Sequence, residues 1–366
     1  MTRVMVLLKV LVLGAAAPRV TASPTEHFNS THRDAKLFLV VNPKMCVASG
    51  KDGACLPYFQ CSKLGGTVDG KCSLGLGECC VFEKTCGGSS SARVSYFTSS
   101  SQDSTDKGVC ALSVKKAENV CQLRLDMKKL KLSEPDAEGK CVDQYLEVQG
   151  VTSSSPKICG TNTGQHLYVD VRADDGPFTV AVVNAQDNPM SSWEIEVEQL
   201  RCDSPDLAPS ECSQYYTGLK GEVQSFNYDT TESSRLQQND YRGSRHLQET
   251  YLVCVRQEVG YCSLKWTAAE NEDYAFTMTG NLKEKPGFPL FNSGTDELCE
   301  FTDYLIIAGG IIPDEDDPSS VFCGSQFPES VTSTSFQAKV VANEVEFGND
   351  DIDNRGFHLN YQQEKC

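Results

Sequence analysis

Apolar and polar residues alternate one by one along much of this chain. Cys121, Leu123, Leu125 and Met127 interleave with Gln122, Arg124 and Asp126, and Trp193, Ile195 and Val197 interleave with Glu194, Glu196 and Glu198. Phe357, Leu359 and Tyr361 repeat the pattern near the C-terminus. A period of two sends successive side chains to opposite faces. Each stretch therefore predicts a strand with one buried and one wet face, as in an antiparallel sheet. Tyr145–Val148, Leu167–Val171, Phe178–Val183, Tyr251–Val255, Tyr304–Ile307 and Phe336–Val341 predict further strands. Gly, Ser, Asn and Pro separate them, and no long helical period occurs. Many short strands of this kind predict an all-β chain of sandwich or jelly-roll type. Residues 203–211, with Pro205 and Pro209, read as a linker. Residues 218–250 read as a polar insertion with Arg235, Arg242 and Arg245, expected to be a solvated loop.

Eighteen cysteines sharpen this picture, because they fall into three groups of six. Cys46, Cys55, Cys61, Cys72, Cys79 and Cys80 are crowded together. Cys86, Cys110, Cys121, Cys141, Cys159 and Cys202 follow at intervals of 24, 11, 20, 18 and 43. Cys212, Cys254, Cys262, Cys299, Cys323 and Cys366 follow at 42, 8, 37, 24 and 43. In both later sets a short interval comes second and the fifth cysteine precedes a glycine, Gly160 or Gly324. An aromatic residue, Trp193 or Phe357, stands nine before the last cysteine in each. This shared rhythm predicts a tandem duplication of one β module. Zinc sites usually show cysteines two to four residues apart, and no such pair is present. Disulfides are the expected state, and six cysteines alone allow fifteen connectivities per set.

The N-terminus and the charge place the chain. Arg3, the apolar run from Val4 to Leu13 interrupted by Lys9, and Val20-Thr21-Ala22 read as a secretory signal over residues 1–22. No later apolar stretch is long enough to span a bilayer. With so many cysteines, a secreted extracellular protein with no membrane span is expected. A net charge of −17 argues against nucleic acid and anionic lipid surfaces as partners. Asn29-Ser30-Thr31 is the sole N-glycosylation sequon. His27, His32, His166, His246 and His358 belong to no recognisable hydrolase or metalloprotease motif, so no catalytic residue is assigned and no enzyme activity is expected.

The segments Cys86-Gly87-Gly88, Cys141 to Val148, Cys159-Gly160, Asp303-Tyr304-Leu305, Cys323-Gly324 and Gly356 to Tyr361 resemble CUB domains. Cys79 to Phe82 followed by Thr85 to Gly88, Val120 to Asp126, Gly164 to Asp170, Gln214 to Gly218, Ser225 to Tyr228 and Asn354 to Gln362 make the whole similar to secreted arthropod proteins with CUB-type repeats. The likeness covers residues 46–366. The first six cysteines, ending in an adjacent pair, resemble a clip domain. The resemblance implies two tandem antiparallel jelly-roll β-sandwiches after a small disulfide-rich knot. Expected boundaries are an N-terminal segment at 23–45, the knot at 46–80, CUB-like modules at 86–202 and 212–366, and the linker between them. The resemblance also implies the pairings Cys86–Cys110, Cys121–Cys202, Cys141–Cys159, Cys212–Cys254, Cys262–Cys366 and Cys299–Cys323, with a Cys254–Cys262 bridge as the rival. For the knot it implies Cys46–Cys79, Cys55–Cys72 and Cys61–Cys80.

Many CUB domains bind calcium through an early acid, the Asp of an Asp-Tyr-Leu strand and an acid before the last strand. Asp303 fills the middle place, with Asp296 or Glu297 before it. Asp351 and Asp353 are the downstream candidates, alongside Glu344, Glu346 and Asp350. The first module departs, because Gln144 aligns with Asp303 and Asp143 is one residue out of step, on the opposite face of a strand. A solvated acidic rim explains the same residues, so no metal or other cofactor is expected. Function is expected to be non-catalytic recognition of an extracellular protein or glycan, with regulation of a serine-protease cascade through the clip-like knot as the alternative. Ligand identity and oligomeric state are left open by the sequence.

Overall fold

The structure is a computed structural model that describes residues 44–100, 107–185, 191–228, 245–270, 272, 275–279, 299, 302–315, 317–342 and 354–366. The chain is all-β, with a single short α-helix among the described residues. The knot comes first. Its strands β1 (Met45–Ala48), β2 (Lys51–Leu56), β3 (Thr67–Cys72) and β4 (Gly77–Val81) form a sheet of order β1-β2-β4-β3, and helix α1 (Tyr58–Lys63) lies between β2 and β3 in sequence. Cys46–Cys79, Cys55–Cys72 and Cys61–Cys80 are bonded within it. So small a sheet buries little, Leu56, Cys61, Cys80 and Phe82 forming its core, and such domains rely on disulfides to compensate.

The first module contains β5 (Glu83–Lys84), β6 (Ser89–Ser90), β7 (Val94–Thr98), β8 (Gly108–Val114), β9 (Val120–Lys131), β10 (Gln144–Gln149), β11 (His166–Asp170), β12 (Phe178–Asn184) and β13 (Ser192–Arg201). They build two sheets, β10-β12-β8-β6 and β11-β9-β13-β7-β5. The second module contains β14 (Cys212–Tyr216), β15 (Lys220–Gln224), β16 (Tyr251–Val255), β17 (Tyr261–Ala268), β18 (Phe276–Thr277), β19 (Tyr304–Gly310), β20 (Ser319–Phe322), β21 (Val331–Ser333), β22 (Gln337–Val341) and β23 (Gly356–Lys365). Its sheets run β14-β16-β22-β19-β20 and β15-β23-β17-β21, with β18 also on β23. Set side by side, β6, β8, β12 and β10 correspond in order to β14, β16, β22 and β19. Likewise β7, β13, β9 and β11 correspond to β15, β23, β17 and β21. Pairing is antiparallel except at the edges, where β5, β6 and β14 run parallel to their neighbours.

Each module closes its two sheets over inward side chains. In the first, Leu112, Val114, Leu146, Phe178 and Val180 face Leu123, Leu125, Met127, Trp193 and Ile195. In the second, Val253, Leu305, Ile307 and Val340 face Leu264, Trp266, Phe357 and Leu359. Trp193 and Phe357 are each the second residue of the last strand and are 2% and 1% exposed. The disulfides repeat as well. Cys86–Cys110 and Cys212–Cys254 are followed by Cys121–Cys202 and Cys262–Cys366, and then by Cys141–Cys159 and Cys299–Cys323. No cysteine is left free.

Two expectations fail, and for related reasons. The segment 218–250 is not a solvated loop where it is described. Lys220–Gln224 is a sheet strand, and Phe226, Asn227, Tyr228, Arg245, His246 and Leu247 are all buried. Residues 229–244, including Arg235 and Arg242, lie outside the described residues. Nor are the outer faces of β9 and β13 wet throughout, because Gln122 and Glu196 are buried. The knot covers Glu196: the Asp52 N–H donates to the Tyr96 hydroxyl at 2.7 Å, and that hydroxyl donates to Glu196 Oε2 at 3.0 Å. Lys51 adds an ion pair with Glu194 at 3.0 Å. The linker covers Gln122, whose amide exchanges hydrogen bonds with Ala208 N and O at 2.9 and 2.8 Å. Polarity marks wet residues only where nothing else packs on the sheet, and here the neighbours supply polar partners.

The modules meet through such partners. The Asn227 backbone N–H donates to Asn162 Oδ1 at 2.7 Å, and Asn227 Oδ1 accepts from the Thr161 N–H at 2.8 Å. Gln165 Nε2 donates to the Ser225 carbonyl at 3.0 Å, and Gln214 Nε2 donates to Gln165 Oε1 at 3.1 Å. His166 Nε2 accepts the Tyr215 N–H at 2.9 Å, and its ring lies edge-on to Tyr168 and Tyr216. Burial, and after it the positive charge of Arg124, lowers the His166 pKa to about 4, so the imidazole is neutral and free to accept. Gly160 explains part of the Cys-Gly signature. Its φ is +73°, and a Cβ there would stand 1.9 Å from Asn227 Oδ1, so a side chain would push the two modules apart.

Candidate binding face

Of the residues singled out for calcium, Asp303 alone lies among the described residues. Asp303 stands at the head of β19 and is 2% exposed. Its Oδ2 faces Arg245 Nη2 at 3.6 Å and His246 Nε2 at 3.1 Å, and both of those side chains are buried. The His246 Nε2 also faces the Met278 carbonyl at 3.1 Å. Both neighbours are acceptors, so that nitrogen carries a proton. Calcium needs several oxygens turned towards one point, whereas the described neighbours of the Asp303 carboxylate include a guanidinium and an imidazole. Asp351, Asp353 and the other acids proposed around it lie outside the described residues. In the first module Gln144 takes the equivalent place, buried and uncharged, accepting the Ser133 N–H at 3.1 Å. Among the described residues no group of three or more His, Cys, Asp or Glu is placed to hold a metal.

The sequence places Arg245 in a polar insertion and His246 in no motif, and does not connect either to Asp303. They come from the polar segment between β15 and β16, and the Arg245 carbonyl accepts from Asn227 Nδ2 at 2.7 Å. Hydrogen bonds thus run from Thr161 and Asn162 through Asn227 to the Arg245 carbonyl, and the Arg245 side chain pairs with Asp303. A polar residue followed by an aromatic on each side, as in Phe226-Asn227-Tyr228, was the available signal.

The histidines are structural where they are described. His358 Nδ1 lies 2.7 Å from Glu272 Oε2, and Tyr228 donates its hydroxyl to Glu272 Oε1 at 2.5 Å. Arg355 stacks over Tyr228, 5.7 Å from the ring centroid, with Nη1 3.6 Å from Glu272 Oε1. Glu272 is consumed in holding these three side chains, and burial raises the Tyr228 pKa beyond its ordinary range, keeping the phenol protonated. His27, His32 and the sequon Asn29 lie outside the described residues.

What the second module does present is its outer sheet face. Lys220 and Glu222 on β15, Lys265 and Thr267 on β17, and Asn360, Gln362 and Glu364 on β23 line an open groove of about 780 Å³. These side chains alternate with the core residues Val223, Leu264, Trp266, Leu359 and Tyr361, so the period of two fixes which of them face outward. The groove mixes ammonium, carboxylate, amide and hydroxyl groups on a rigid floor. In the first module the equivalent face, on β7, β13 and β9, is where the knot sits.

Residues 209–364 match the family model of the animal CUB domain. No curated protein matches the chain. Among solved structures the chain is similar to the CUB1-EGF-CUB2 domains of rat MASP-1, at 12% identity, over 75% of this chain and 99% of that one, with a TM-score of 0.24. It is similar to the CUB1-EGF-CUB2 domain of human MASP-1/3 at 14% identity, over 75% and 100%, with a TM-score of 0.25. The full extracellular region of zebrafish Gpr126/Adgrg6 is similar at 10% identity, over 75% and 37%, with a TM-score of 0.24. No helix among the described residues is long and apolar enough to cross a membrane.

Proposed function

We propose that this chain is a secreted, non-catalytic adaptor whose second module docks an extracellular protein on the outer face of β15, β23 and β17. The animal CUB match over 209–364 and nine disulfides support an extracellular binding role. The observation that carries the reading is the inequality of two equivalent faces: the knot occupies the one in the first module, and the one in the second is a polar groove. Interface rims of mixed charge and hydrogen-bonding capacity suit a protein partner and set specificity more than raw affinity.

Proteins captured from the extracellular fluid by the intact chain test this. Lys265→Glu combined with Glu222→Lys keeps the net charge and reverses the local pattern. Folding stability is expected to fall by no more than about 1 kcal/mol, because both positions lie on the surface and the ion pair lost, Glu222 with His358 at 3.5 Å, is exposed on the Glu222 side, while capture of the specific partner falls. Capture unchanged by the swap contradicts the reading.

A second reading has its own observation. The knot exposes Tyr58, Phe59 and Leu74 at 67%, 72% and 104%, which suits regulation of a protease cascade through apolar contact. Replacing Tyr58 and Phe59 with Ser separates the two. Loss of the partner with this pair, and not with the groove swap, favours the knot.

A further inference from the structure

The first module has a cavity of about 140 Å³ where β8, β10, β12 and β13 begin or end, lined by Gln144, Trp193, Lys107, Val109 and the Cys86–Cys110 bridge among others. Gln144 and Trp193 are 1% and 2% exposed. Gln144 Nε2 and Trp193 Nε1 are both buried without a hydrogen-bond partner. The orientation of the amide is set, because Gln144 Oε1 accepts the Ser133 N–H, so the open end of the side chain is its NH2. An indole nitrogen is a donor and never an acceptor. The cavity therefore brings together two buried donors of fixed sense, with the Asn184 amide, cross-strand from Gln144, also on its lining.

The charge around them agrees. Among the described residues, Lys107 is the one charged residue lining the cavity and no carboxylate lines it. Donors without partners in a buried place are costly to keep, and an acceptor brought to them recovers that cost. We infer that this cavity is a binding site for a carboxylate. One carboxylate oxygen meets the Gln144 amide, the other meets the Trp193 indole, and the Lys107 ammonium neutralises the pair from the rim. The volume admits an acetate-sized group or the end of a peptide chain. The inference is independent of the docking face on the second module, so either can fail alone.

The test uses the two indole N–H signals of the full chain, recorded by proton–nitrogen correlation NMR while sodium acetate replaces sodium chloride at constant ionic strength. Trp266 in the second module is also buried without an indole partner and serves as the internal control. The expected result is a saturable shift of the Trp193 signal with the Trp266 signal unmoved. Gln144→Glu keeps an acceptor for Ser133 N–H and removes the donor, and it should weaken binding at least about tenfold. Lys107→Gln, at an exposed position that does not threaten folding, should weaken it by a smaller factor. Tri-alanine with a free C-terminus and its C-terminal amide distinguish the source. A shift with the free peptide and not the amide identifies a chain terminus as ligand, and a shift with acetate alone identifies a small free acid. The proposal is overturned if neither probe gives a saturable shift, if both indoles shift alike, or if Lys107→Gln binds as the parent does.

Discussion

Gln144 in the first module and Asp303 in the second stand at the head of corresponding strands, and both are buried. The first is neutral and uses its amide oxygen on the Ser133 N–H. The second is charged and is met by Arg245 and His246, both supplied by the long segment that the first module lacks. The outer faces differ in the same sense. The module with the uncharged residue carries the knot, and the module with the internal ion pair leaves its face open. Repeating a fold therefore does not repeat its chemistry: the scaffold is fixed by apolar alternation, and the loops decide what stands at its ends.

The largest effect should come from breaking the ion pair. Asp303→Asn strands the buried Arg245 guanidinium and should cost about 3–5 kcal/mol, measured by chemical denaturation. Gln144→Leu strands a backbone N–H and should cost about 1–3 kcal/mol. Equal losses at the two positions would break the contrast. Asp303→Asn should also leave any heat of calcium titration unchanged, since that carboxylate is already engaged.

Next in size is the contact between the modules. Asn227→Ala removes the acceptor of the Thr161 N–H and a donor to the Arg245 carbonyl. A loss of about 1–3 kcal/mol is expected, together with faster proteolysis of the 203–211 linker. A stable, protease-resistant variant would show that the junction rests on other contacts.

The alternation of apolar residues made the strands legible, because each module has one buried face whose side chains repeat every second residue. Trp193 and Phe357 stood out for that reason. The junction was not legible. Asn227, Gln165 and Gln214 are polar, and a reading that equates polar with wet assigns them to loops. Their burial depends on hydrogen bonds to residues 49 to 66 positions away, and nothing local records that. Arg245 reads as part of a solvated loop and His246 as a histidine outside any motif, and the sequence connects neither to Asp303. They meet Asp303 across some 58 residues of sequence, too far for any spacing rule to connect.

A smaller effect is the pH response of His166. Its pKa is lowered to about 4 in the fold from about 6.5 unfolded, so between those values the unfolded chain binds the extra proton. Stability is then complete above pH 6.5 and falls as the pH drops towards 4. Between pH 6.5 and pH 5 the loss should approach about 2 kcal/mol. His166→Gln should flatten that slope, and a slope unchanged in the variant assigns it to other groups. The smallest effect belongs to the knot contact, where Lys51→Ala should cost about 0–1 kcal/mol because the Lys51–Glu194 pair is partly exposed.

The central claim is that two modules of one fold are joined by buried polar contacts into a single cooperative body. Each module has one tryptophan in its core, Trp193 in the first and Trp266 in the second. Trp266→Phe leaves fluorescence that reports the first module, and Trp193→Phe leaves fluorescence that reports the second. Denaturant titration of these variants with disulfides intact, each compared with its own circular dichroism curve, tests the joining directly. The account predicts that fluorescence and circular dichroism coincide in both variants, and that adding Asn227→Ala separates them. Two separate transitions with Asn227 in place would contradict it.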